Sequence, residues 1–199
     1  ITKYKIFNSE ELANGGSIEV IDATRLLLAT GYGNMYLIDT IGDELDIQKL
    51  NIRVPINADA YLSESQNPTQ YFRVTDILLE DTESSVRKLY AAHHYFDSVK
   101  QCFTLRLSET QIDLENFQVG EWITRYDTKP CIEINEFSNL TGGRLGFMKD
   151  GTILLTVGVH SYITREFADR DGSHYGRVMQ INPADWIARV YTKGHRNPQ

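Results

Sequence analysis

GGRLGFMKDGTILLTVG, residues 142–158, reads as two apolar strands folded back over a polar turn. Leu145–Met148 precedes the turn and Ile153–Gly158 follows it. Between them, Lys149-Asp150-Gly151-Thr152 supplies an Asp whose side chain can bond the backbone and a Gly that accepts a positive φ. The same grammar stands near the start of the chain. Ile18-Glu19-Val20-Ile21 precedes Asp22-Ala23-Thr24-Arg25, and Leu26–Gly31 follows. Both second strands end in Thr and Gly, with Val157 interposed in the later copy, and lead into a polar loop. Repeated units of a few short strands point to a β-propeller, with a sandwich or barrel as the alternative all-β solution.

Outward from these two hairpins, short runs rich in Ile, Leu, Val, Tyr and Thr recur between Gly, Asn, Asp and Pro, which is how strands and turns alternate. Ser17–Asp22, Arg25–Thr30 and Asn34–Asp39 read as three neighbouring antiparallel strands. Phe72–Glu80, Arg87–Phe96, Gln101–Ser108 and Val119–Tyr126 follow, then Arg144–Met148, Thr152–Gly158, Arg177–Asn182 and Ala188–Thr192. Long helical periodicity is absent, and Asn8–Ala13 is read as one short helical turn. Asn51–Gln70, with two prolines and few apolar residues, reads as a long loop.

With 199 residues the chain can bury a core as one domain, and its 41% hydrophobic content is ordinary for a globular protein. A net charge of −7 argues against nucleic acid as the main partner, since phosphate binding needs clustered cations. No apolar run approaches the roughly 18 residues that span a bilayer. No basic-then-apolar leader is present, so any signal peptide is expected to have been removed or to lie elsewhere. Cys102 and Cys131 lack metal-site spacing and are too few for a disulfide framework. Two readings stay open: one bridge, or two separate buried thiols.

Three segments together carry a family resemblance: Gly142–Gly158, DGSHYGRVMQINP at Asp171–Pro183, and VYTKGHRNPQ at Val190–Gln199. Their order and spacing resemble the glucose/sorbosone dehydrogenase family, soluble six-bladed β-propellers that use pyrroloquinoline quinone (PQQ). The runs Arg87–Ser108 and Gly15–Asp39 also fit blades of that family. The resemblance implies an all-β fold forming roughly half of a propeller, with approximate blades at 1–50, 51–130 and 131–199. It implies that the missing half, or a partner chain, covers an open edge. It further implies export to the periplasm or outside the cell, where Cys102 and Cys131 would bridge neighbouring strands within about 7 Å. Calcium, with ligands outside this chain, and a sugar or aldehyde substrate complete the expectation.

Oxidising a sugar with a quinone requires a base for the hydroxyl proton and a cation for the oxyanion that develops. The resemblance gives Arg196 to the quinone oxygen, with Asn197 and Gln199 on the cofactor. An arginine suits that role because its charge is permanent and its donors lie in a fixed plane. The family's catalytic His precedes the Gly-Arg-Leu strand, where this chain has Asn139-Leu140-Thr141-Gly142-Gly143-Arg144-Leu145. Leu140 cannot accept a proton. The family's Gly-Asp after the following strand is Gly158-Val159 here. His160, beside Val159, and His195, before Arg196, are the candidate substitutes; His160 is taken as the catalytic one. His93 and His94 point to opposite faces of one strand. Asp169-Arg170-Asp171-Gly172 is read as a solvated turn, not a calcium loop. Three functional classes follow: a quinone-dependent sugar dehydrogenase with an altered site, a non-catalytic propeller that binds a sugar or a protein, or a structural propeller within a larger assembly.

Overall fold

The structure is a computed structural model, and it describes residues 15–41, 45–64, 72–133, 142–159, 165–196 and 198. Leu140, His160, Asn197, Gln199 and the expected turn at Asn8–Ala13 lie outside the described residues. Three antiparallel sheets follow one another along the chain. Sheet one runs β1 (Gly16–Val20), β2 (Arg25–Thr30), β3 (Asn34–Asp39) and β4 (Asp46–Arg53), in that order. Helix α1 (Ala58–Glu64) leads to sheet two: β5 (Val74–Leu79), β6 (Val86–Asp97) and β7 (Cys102–Asp113). Its outer strand is broken into three pieces laid end to end along β7: β8 (Gln118–Val119), β9 (Ile123–Asp127) and β10 (Ile132–Glu133). Sheet three is β11 (Gly142–Phe147), β12 (Ile153–Val157), β13 (Arg177–Ile181) and β14 (Ala188–Lys193), with α2 (Arg165–Asp169) before β13.

The two hairpins that organise the sequence are built alike. Asp22 Oδ1 accepts from the backbone N–H groups of Thr24 (3.0 Å) and Arg25 (2.9 Å). Asp150 Oδ1 accepts from the Thr152 N–H (3.0 Å) and hydroxyl (2.6 Å). Each carboxylate thus satisfies turn donors that would otherwise need water. The main departure from the sequence reading falls within Asn51–Gln70. There β4 extends to Arg53 and α1 fills the middle, pinned by Tyr61, whose ring stacks on Phe72 at 4.3 Å and meets Phe103 edge-on at 5.8 Å.

The sheets meet through their first strands, β1 against β5 and β5 against β11, and fan outward from that line. The main core fills the wedges between them, with Leu27, Ile77, Leu89, Leu107, Leu155 and Ile181 fully buried. On the far side of sheet one lies a second small cluster of Leu28, Tyr36 and Ile38. Beside it, Ile18 and Val20 of β1 stand 54% and 63% exposed. Cys102 and Cys131 form a disulfide with Cα atoms 5.6 Å apart, next to the β7–β10 pairing, so the bridged reading holds.

Candidate functional site

One end of the three sheets gathers the starts of the first strands. The Gly31 N–H donates to the Gly15 carbonyl (2.6 Å), and the Val74 N–H donates to the Gly31 carbonyl (2.8 Å), which joins the starts of β1 and β5. Thr75 Oγ1 donates to the Ala92 carbonyl (2.9 Å) and lies 3.1 Å from the Gly143 carbonyl, which brings in β11. Both β5 and β11 shift register at this point, between Val74 and Asp76 and between Gly142 and Leu145. Such bulges re-aim side chains and occur beside active sites more often than elsewhere. Gly143 is required there: its φ is +88°, and a Cβ would sit 2.1 Å from Thr75 Oγ1.

Directly beneath the paired bulges, the carboxylate of Asp76 ties all three sheets together. It accepts from the Ser17 hydroxyl on β1 and from Arg144 Nη1 (3.3 Å) and the Leu145 N–H (2.8 Å) on β11. The Asp76 side chain is 11% exposed, whereas that of Arg144 is 46% exposed, so the guanidinium is held from below and open above. Glu19, two residues along β1, has its pKa raised by burial; a backbone hydrogen bond at Leu79 opposes the rise and the Asp76 charge adds to it. Sequence reading missed this node. Its signal was an acid inside Val-Thr-Asp-Ile-Leu-Leu, a strand that is buried throughout.

Arg196 lies at the same end, because antiparallel order puts the end of β14 at the same end of sheet three as the start of β11 and the end of β12. Its side chain is exposed, while its carbonyl accepts from the Val159 N–H at 2.8 Å. The Gly176 carbonyl accepts from the N–H groups of both Gly194 and His195, at 3.0 Å each. His195 Nε2 lies 2.6 Å from the Thr192 hydroxyl. The turn is therefore fixed by backbone bonds on two sides, to Val159 and to Gly176. His93 and His94 are both buried. His93 bonds Ser108 Oγ at 2.9 Å, and burial lowers its pKa to about 4, so it is a neutral packing group.

A second missed group lies in the DGSHYG loop. His174 Nδ1 accepts from the Tyr126 hydroxyl (2.6 Å) and the Lys129 N–H (3.1 Å), and its ring stacks on Tyr126 at 5.4 Å. Two donors at Nδ1 place the ring proton on Nε2. Burial, then the Lys129 and Arg177 charges, lowers its pKa to about 4, in keeping with that neutral tautomer. Among the described residues, no three His, Cys, Asp or Glu side chains come together as a metal site. No helix among them is long and apolar enough to cross a membrane.

This architecture recurs in solved structures. A glucose dehydrogenase superposes with a TM-score of 0.69 at 16% identity, covering 92% of this chain and 52% of that one. The soluble aldose sugar dehydrogenase of Escherichia coli, in its apo-form, gives 0.68 at 16% identity, with 92% and 52% covered. The PQQ-bound aldose sugar dehydrogenase of Streptomyces coelicolor gives 0.62 at 18%, with 92% and 56% covered. The chain has the β-propeller fold of the sugar dehydrogenases. It spans about half the length of these propellers. No family model matches it, and no curated protein matches it by sequence.

Proposed function

We propose that this half-propeller belongs to a quinone-dependent oxidoreductase acting on a sugar or aldehyde, and that it contributes Arg196 to the quinone. The observation that carries the reading is the Arg196 turn, fixed by backbone bonds at the end where the bulges of β5 and β11 meet. The donor set fits a planar quinone bearing several carboxylates. Arg73 and Arg144 open the first strands of sheets two and three, so three permanent cations serve one end of the molecule. Bound there, PQQ supplies the electron acceptor for a sugar hydroxyl. Arg196, with Asn197 and Gln199, would hold it, and the Arg196 charge would favour the anionic form of the quinone oxygen. His160 is the residue proposed to take the substrate proton in place of the absent His at Leu140.

Calcium, with ligands outside this chain, belongs to the same reading. The three sheets then correspond to the blades proposed at about 1–50, 51–130 and 131–199, with β4 running on to Arg53 and β10 of sheet two lying past residue 130, and the remaining blades or a partner chain cover the open edge. The Cys102–Cys131 bridge supports an exported protein, periplasmic or extracellular. A second reading, a non-catalytic propeller that binds a sugar or protein, is favoured by Leu140 and by Val159 at the Gly-Asp position.

Two measurements separate the readings in the protein that carries this chain. Loss of one charge-assisted contact in Arg196→Ala is expected to weaken PQQ binding about 10- to 100-fold. In dye-linked dehydrogenase assays with PQQ and calcium, low wild-type turnover that rises in Leu140→His supports an altered active site. High wild-type turnover places the base elsewhere, with His160 first to be tested. No PQQ binding at all favours the binding module.

A further inference from the structure

The Arg196 turn is anchored in sheet two, although it belongs to sheet three. Thr128 exchanges two bonds with Leu105 of β7, N–H to carbonyl and N–H to hydroxyl, both 3.0 Å. Three residues on, Cys131 is joined covalently to Cys102 of the same strand. Loop 172–176 rests on this anchored segment. The Tyr175 hydroxyl donates to the Pro130 carbonyl (2.6 Å) and lies 3.3 Å from Thr128 Oγ1; the His174 N–H donates to the Lys129 carbonyl (2.8 Å). Tyr175 is fully buried. The next residue, Gly176, carries the carbonyl that receives Gly194 and His195. Its φ is +70°, and a Cβ there would meet Val159, Ala168 and the His195 carbonyl at 3.0–3.1 Å.

We infer that loop 172–176 is a clamp, with Tyr175 and Gly176 as positioning residues, that sets the Arg196 turn from the bridged edge of sheet two. A side chain added at Gly176 pushes the turn away, and loss of the Tyr175 hydroxyl frees the loop from Pro130. What Arg196 does once placed rests on the function proposed above; the clamp does not. The test is residue-resolved hydrogen exchange on Tyr175→Phe and Gly176→Ala in the full chain. The N–H groups of Gly194, His195 and Val159 should exchange about tenfold faster, the size expected for one lost hydrogen bond. The Leu27 and Leu37 amides in sheet one should keep their wild-type rates. Unchanged rates at the three reporting amides in both variants overturn the clamp, as does an equal rise in sheet one. PQQ titration is a separate readout, with weaker binding expected in both variants. A wild type that binds no PQQ removes the proposed role of Arg196, and the exchange pattern still decides the clamp.

Discussion

Sheets one and three are built on one plan, although only sheet three has a bulge between its first two strands. Each has four strands in chain order, an Asp-capped turn between the first two, and a register shift where the third strand meets the fourth. They part at the connection between the second and third strands. In sheet one this is a tight turn through Gly31, Tyr32 and Gly33, closed by the Gly33 N–H on the Thr30 carbonyl at 2.8 Å. In sheet three the same connection runs from Gly158 to Gly176, and it holds the Arg196 turn at both ends. The contrast separates frame from function. Sheet one makes this connection in three residues, so the added length is not needed to join the two strands.

The largest expected effect tests whether the frame is shared. Asp76→Ala removes the acceptor common to all three sheets and leaves the Ser17 hydroxyl and Leu145 N–H without it. It should cost about 3 kcal/mol in urea unfolding. A loss below 1 kcal/mol would mean that the sheets stand independently.

Acid provides the second test, with a local and a general part. His93 and His174 have folded pKa values near 4, below the ordinary 6.5. Between those values the unfolded chain binds more protons, so stability is full above about pH 6.5 and declines as pH falls toward 4. His93 should account for about 2 kcal/mol between pH 7 and pH 5; the half-exposed His174 adds less. His174→Gln should flatten its part of the profile. A urea midpoint that does not move between pH 7 and pH 5 would contradict both assignments.

The smallest effect sharpens the likeness itself. Asp22→Ala and Asp150→Ala should lower the urea midpoint slightly and about equally, because each removes the acceptor of one turn. Backbone donors hold Asp22 at a pKa of about 2, with help from Arg25, and the Thr152 hydroxyl, then its N–H, lowers that of Asp150. Unequal losses would show that the repeat is one of sequence only.

The frame was readable in advance because its signals are local. An Asp two residues before a Thr, between apolar runs, specifies a hairpin without reference to the rest of the chain. β4 was not read as a strand because only Leu50 and Ile52 of its eight residues are buried, the pattern of a charged edge strand. Helix α1 was hidden between prolines, and its ring contacts come from Phe72, Phe96 and Phe103. The Arg196 turn was singled out, and so legible as a candidate, through the motif that carries it. The grip on it was not: Tyr175 and Pro130 are 45 residues apart, and no spacing announces such a bond. Asp76 could have been suspected from its apolar neighbours, but its partners lie 59 to 69 residues away.

Those separations also set an order of events. Within a sheet, strands pair with their neighbours in the chain, the kind of contact that closes in microseconds. The bonds of Asp76 cannot all form until Ser17 and Leu145, far apart in the chain, have been brought together. The meeting of the first strands is thus expected to come late in folding, after the hairpins. Asp76→Ala should therefore act mainly on the unfolding limb of a chevron, hastening escape from the native state while refolding proceeds at nearly its original rate.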